Sequence, residues 1–281
     1  MIKILYWLFA VKVSLCSCLP EQGKSGFERG KTQYKITKIG QFPTEISESS
    51  GLARVKGKNT FWTHNDGGNS PGLFEVEQSG KIISKLQFPK LRNEDWEDLA
   101  EDEAGNVFIA DVGNNNNARR NLTIYKVNPN KPEDFQTIQL KYADQTAFPP
   151  PLNSRNFDCE AMVYQKEKLY LFSKNRSLTN HYVKIYELPA VAGNYSVSPK
   201  DSIFIKSMVT AADISPDQNT LALLSYGKVF LFDISEGLNF KKPKLCIKIG
   251  KGQAEAIVFI NNQDFIISNE HKRNLYLVKK K

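Results

Sequence analysis

The sequence predicts an all-β protein folded as a single five-bladed β-propeller, and three observations carry that expectation. Aromatics make up 11% of the 281 residues, and Thr, Val and Ile recur in short runs broken by Gly, Pro and Asn, the composition of pleated strands. A three-strand pattern is written five times along the chain. A fourth strand follows four of these units, and a strand that would complete the fifth stands before the first. With 41% hydrophobic and 24% charged residues the chain is globular, which excludes collagen, a coiled coil and a polytopic membrane protein.

Each unit opens with one of five related strings, SGLARV, EDLAED, EAMVYQ, ADISPD and EAIVFI, beginning at residues 50, 97, 160, 212 and 255. A turn and a second apolar run follow in NTFWTHND, NVFIADVG, KLYLFSKN, TLALLSYG and DFIISNE. The third runs are GLFEVE, LTIYKV, VKIYEL, KVFLFDI and NLYLVKK. The fourth are KIISKLQF, TIQLKYA, DSIFIKS and KLCIKI, and YKITKIGQF at residues 34 to 42 supplies the missing one. An N-terminal strand that completes the last blade closes a ring and removes an exposed edge. Residues 33 to 281 give about 50 per unit, within the range of propeller blades. The alternative, six blades, requires another in residues 136 to 157 or 190 to 208, which are too short for four strands of about 5 residues each.

The first residues read as an export signal, with Lys3 before the apolar run ILYWLFAV, too short to span a bilayer. After a further VSL the segment ends in Leu15-Cys16-Ser17-Cys18, which resembles a bacterial lipobox in which Cys18 becomes acylated and then the mature N-terminus. The expected organisation is a signal peptide over 1–17, a tether over 18–32 and the propeller over 33–281. The expected location is the bacterial cell envelope, lipid-anchored on the outer-membrane or periplasmic side, or secreted without acylation. Cys159 falls on an innermost strand and Cys246 on an outermost strand of the next blade. That places them beyond the roughly 7 Å reach of a disulfide, so both are expected to be free.

The strings ESSGLA, WTHNDGGNSPGLFEV, DWEDLAEDEAGNVFIADVGNN, FDCEAMVY, LYLFSKNR and ADISPDQNTLAL resemble the bacterial extracytoplasmic propellers grouped with the SdiA-regulated, NHL-like and phytase-like proteins. The resemblance covers nearly the whole mature chain and implies a propeller in the envelope without fixing a substrate. The formal net charge of +8 comes from scattered basic residues. No arginine-rich block or aromatic RNA-binding run accompanies them, so nucleic acid is not an expected partner.

Function is expected on one face, where the longer loops NDGGNSP, DVGNNNNARRN, SKNRSLTNHY, SYGK and SNEHKRN gather. The column that opens the first strands reads Ser50, Glu97, Glu160, Ala212 and Glu255, and the next reads Gly51, Asp98, Ala161, Asp213 and Ala256. First strands line the channel, so Glu97, Glu160 and Glu255, with Asp98 and Asp213, are candidate ligands for a hard cation such as Ca²⁺. The same glutamates, bonded to backbone N–H groups of neighbouring blades, would instead pin the ring. His64, Asp66, Asp111, Asn115, Arg119, Lys174 and Glu270 are candidate ligand-binding residues around the mouth. No P-loop, HExxH or EF-hand pattern occurs. Two functions from different classes remain: an envelope lipoprotein binding a small molecule or protein through its Asn/Asp-rich loops, and a calcium-dependent hydrolase of phosphoesters or lactones. The calcium-activated nucleotidases are similar in architecture to the second.

Overall fold

The computed structural model describes residues 13, 16–30 and 33–281; the expected signal peptide falls mostly on residues outside these. Five sheets make five blades. A short helix α1 (Leu19–Ser25) and a two-residue strand β1 (Glu28–Arg29) precede β2 (Tyr34–Gln41). Blade one is β3 (Ser49–Arg54), β4 (Phe61–Asn65), β5 (Gly72–Val76) and β6 (Ile82–Gln87). Blade two is β7 (Trp96–Glu101), β8 (Val107–Asp111), β9 (Leu122–Asn128) and β10 (Lys131–Tyr142). Blade three runs β11 (Cys159–Gln165), β12 (Lys168–Ser173), β13 (Tyr182–Pro189) and β15 (Pro199–Phe204), while the intervening β14 (Gly193–Val197) adds in parallel to β10 of blade two. Blade four is β16 (Val209–Ile214), β17 (Thr220–Ser225), β18 (Lys228–Asp233) and β19 (Pro243–Lys248). In blade five, β20 (Ala254–Phe259), β21 (Phe265–Asn269) and β22 (Asn274–Lys280) are completed by β2, as the sequence predicts.

The inner strands β3, β7, β11, β16 and β20 contact one another in that order and close back on β3. They are covered on both faces, so they read as continuous small and apolar runs, whereas the outer β6 alternates half-buried and exposed. The core is a set of wedges between neighbouring blades. Trp96, Leu99 and Ile109 pack with Trp62 and Leu73 between blades one and two, and Phe172 packs with Phe230 and Phe232 between blades three and four.

Of the stretch expected to be a tether, residues 18–30 are folded. Pro20 stands at the start of α1, where its missing N–H costs no bond, and Gly26 ends the helix at φ +79°. β1 then pairs in parallel with β19, and Phe27 is buried with its ring 5.1 Å from those of Phe230 and Phe232. Beneath α1 the buried Glu21 carboxylate accepts hydrogen bonds from Lys228 Nζ at 2.7 Å and Lys206 N–H at 3.1 Å. Cys18 and Cys246 form a disulfide with Cα atoms 5.9 Å apart. This corrects two expectations. Cys246 is not free, and the sulfur assigned to a lipid is engaged in a bond that excludes acylation. Cys159 is free and buried, as expected.

Candidate functional site

Every inner strand carries a one-residue β-bulge at the mouth end, where pairing shifts between Ser49 and Leu52, Trp96 and Leu99, Cys159 and Ala161, Val209 and Ala211, and Ala254 and Ala256. A bulge re-aims the side chain it carries. Here it turns Glu97, Glu160 and Glu255 into the mouth, and it fixes the alignment of the blades. Thr210, not Ala212, is the equivalent residue in blade four; its hydroxyl donates to Ala254 O at 2.8 Å.

The same register moves two expected metal ligands away. Asp98 points into the ring below the mouth, where its Oδ2 accepts Met162 N–H at 2.9 Å and Ala212 N–H at 3.0 Å, and its Oδ1 accepts Leu99 N–H at 2.9 Å. It is fully buried and ties blades two, three and four together. The pinning role expected of the glutamates therefore belongs to Asp98. Asp213 lies further along its strand, toward the opposite end of the channel. There it pairs with Arg54 at 2.8 Å and accepts Phe259 N–H at 2.7 Å.

At the mouth, the residues that follow the second strands bond to those that precede the first: Asp66 to Glu48, Gly113 to Asp95, Lys174 to Asp158, Tyr226 to Met208 and Glu270 to Gln253. Four blades thus present Asp66, Lys174, Tyr226 and Glu270 at one level, and blade two presents Gly113. A Cβ on Gly113 would stand 2.2 Å from Glu97 Oε1 and 2.4 Å from Asp95 Oδ2. Its absence gives those carboxylates their space.

Asp66, Asp95 and Glu97 bring one oxygen each to within 4.8 Å of one another. Glu97 is buried, and its hydrogen-bond partner is the Ser50 hydroxyl at 3.4 Å. Burial and the neighbouring carboxylates Asp66 and Asp158 push Asp95 up to about 6. Burial, then Glu160, Asp66 and Asp95, push Glu97 well above the ordinary range. At these separations each ionised pair repels by roughly 3–4 kcal/mol at the effective dielectric of a protein site, so the trio demands protons or a cation.

The other two glutamates are satisfied. Glu160 contacts Lys174 Nζ and lies 3.2 Å from Arg176 Nη2, while Arg176 also grips Asp158. Burial disfavours charge on Lys174, but Glu160, Tyr226 and Glu255 hold its pKa well above the usual lysine value. Glu255 accepts from Tyr226 OH at 3.0 Å. Glu270, which accepts from Gln253 Nε2 at 2.6 Å, is pushed up to about 7 by burial and by Glu255 and Asp66.

Four expected ligand-binding residues are engaged in structure instead. His64 is fully buried, edge-on to Trp96 at 5.7 Å, with Nδ1 donating to Asn65 O at 2.9 Å and its pKa lowered by burial to about 4. Asp111 accepts Asp95 N–H at 3.0 Å and pairs with Arg119 at 2.9 Å, and Arg119 also donates to Gly113 O at 2.7 Å. Asn115 contacts Arg176. The neighbouring Asn114 and Asn117 build the loop itself, Asn117 at φ +54°, a conformation Asn tolerates. The sequence reading did not single out Asp95, Asp158, Arg176, Tyr226 or Gly113. Asp95 and Asp158 share a signal: each stands two residues before its bulge glutamate.

The chain matches no known family model and no curated protein sequence. Its fold is shared with solved enzymes. A gluconolactonase from Xanthomonas campestris aligns over 88% of this chain and 90% of its own at 12% identity and a TM-score of 0.50. A luciferin-regenerating enzyme aligns over 88% and 95% at 11% identity and 0.52. The PQQ-bound aldose sugar dehydrogenase from Streptomyces coelicolor aligns over 88% and 99% at 9% identity and 0.51. At such identities the likeness is one of propeller architecture.

Proposed function

We propose that the protein is an exported propeller whose channel mouth holds a divalent cation between Asp66, Asp95 and Glu97 and hydrolyses phosphoesters or lactones there. The carrying observation is the carboxylate trio, none of whose members forms a salt bridge among the described residues: three oxygens within 4.8 Å, one of them from a buried glutamate, beside a glycine that leaves them room. Hard oxygen donors suit Ca²⁺, and three protein ligands leave positions for water and substrate. Such a cation supplies Lewis acidity at a substrate oxygen and activates water. Lys174, held protonated against Glu160, places an ammonium on the opposite side and orients the electron-rich group of a phosphoester or lactone. Glu270, with a pKa of about 7, is poised to accept a proton at neutral pH.

The rival reading, a binding module using the Asn/Asp-rich loops, is less favoured because Asn114 and Arg119 bond within their own loop, Asn117 accepts Phe157 N–H from the connection before β11, and Arg120 stacks on Phe148 at 3.7 Å. Export is supported by the Cys18–Cys246 disulfide, a feature of oxidising compartments.

The test is a panel of aryl phosphoesters and lactones assayed in Ca²⁺ and in EGTA. Turnover should require the cation, and Glu97→Gln should lower kcat/KM by at least about a hundredfold. Cation binding without turnover of any substrate would reduce the protein to a binding module. Turnover unchanged in EGTA and in Glu97→Gln would remove the cation from the mechanism.

A further inference from the structure

Large apolar side chains exposed to water are few among the described residues, and three of the six gather at one place. Leu19 is 57% exposed at the start of α1, Leu178 (69%) stands in the β12–β13 loop and Tyr182 (49%) opens β13. Tyr182 and the residues next to the two leucines, Pro20 and Thr179, line a cavity of about 420 Å³ together with Lys24, His181, Phe204 and Lys206. Lys24 Nζ stands 4.5 Å from the Phe204 ring centre, against which the His181 and Tyr182 rings pack edge-on at 6.0 and 5.9 Å. No carboxylate lines the cavity, and among the described residues neither Lys24 nor Lys206 forms a salt bridge. The patch lies on the loop-rich face that also carries the channel mouth, over blades three and four.

From this arrangement we infer that the patch docks the protein onto an anionic lipid surface. Exposed leucines enter the acyl boundary, tyrosine rests at headgroup level, and lysines meet anionic headgroups; the same combination marks interfacial segments in general. The charge complementarity is one-sided, since two lysines face the partner without a carboxylate among the lining residues. Docking here sets the channel mouth at the lipid surface. α1 is clamped by the disulfide and by the Glu21–Lys228 pair, so the patch is rigid.

The experiment is co-sedimentation of the full chain with phosphatidylcholine vesicles, with and without phosphatidylglycerol. Four proteins are compared: wild type, Leu19→Ser/Leu178→Ser, Lys24→Glu/Lys206→Glu, and Lys279→Glu/Lys280→Glu, which makes the same charge change on exposed lysines of blade five. Melting curves verify folding. Wild type should bind the anionic vesicles, each patch variant should lose about tenfold or more in partition coefficient, and the blade-five variant should stay close to wild type. Patch variants that partition like wild type would overturn the inference, as would a blade-five variant that loses as much as Lys24→Glu/Lys206→Glu.

Discussion

Gly113 occupies the position at which the other blades place Asp66, Lys174, Tyr226 and Glu270, and the space it leaves is filled by Asp95 and Glu97. Gly113→Ala should therefore cost about 1–3 kcal/mol through overpacking and spread the carboxylates. Its melting curve should show a lower midpoint and a weakened response to Ca²⁺; a wild-type response would mean that the trio does not depend on this gap. His64 makes a different prediction. Its folded pKa of about 4 lies below the ordinary 6.5 because burial penalises the charged ring, so the folded state keeps the neutral form. The unfolded chain binds the proton first as pH falls. His64 thus contributes stability in full above about pH 6.5, and the contribution is lost toward pH 4, a span worth about 3 kcal/mol. A His64→Asn protein should show a shallower loss of stability between those pH values. An unchanged slope would mean that the imidazole titrates normally.

The elements explain what was legible in the sequence. Strand number, ring closure and the mouth face follow from repeated apolar runs and loop lengths, because pairing and burial act on whole segments. The phase within the inner strands was not legible, since a one-residue bulge leaves no residue-type signature, and a slip of two positions put Ala212 where Thr210 stands. That slip brought Asp213 to the mouth, whereas the strand carries it to Arg54 at the other end. Asp98 read as a ligand because the bulge lets it and Glu97 both face inward, yet three backbone N–H groups consume its oxygens. The N-terminal clamp was hidden for another reason: residues 18 to 32 show no periodicity in sequence, and the order of residues 18 to 30 derives from tertiary partners in blade four. Cys246 was judged only against Cys159, while its partner Cys18 lies 228 residues away in sequence. Peptide mapping without reduction should recover a Cys18–Cys246 crosslink and a free Cys159, and Cys246→Ser should lose about 2–5 kcal/mol. A diacylated Cys18 peptide with Cys246 free would restore the lipobox.

For the whole molecule, the N-terminal segment fastens the last two blades to each other, first through α1 and β1 on blade four and then through β2 in blade five. Asp98 joins blades two, three and four from the centre. Blades one and two meet at the mouth through Asp66 on one side and Asp95 and Glu97 on the other, and there the ionised carboxylates repel unless protons or a cation intervene. A cation at that seam would bind the closed ring and not the unfolded chain, so it should act as a stabilising ligand, worth about 2.7 kcal/mol at a hundred times its Kd. The direct measurement is a Ca²⁺ titration of chelator-treated full chain, followed by the melting midpoint, for wild type and Glu97→Gln. The account predicts a wild-type midpoint that climbs with the logarithm of free Ca²⁺ and a Glu97→Gln midpoint that stays flat. A wild-type midpoint unmoved by Ca²⁺, or a climb of equal slope in both proteins, would contradict it.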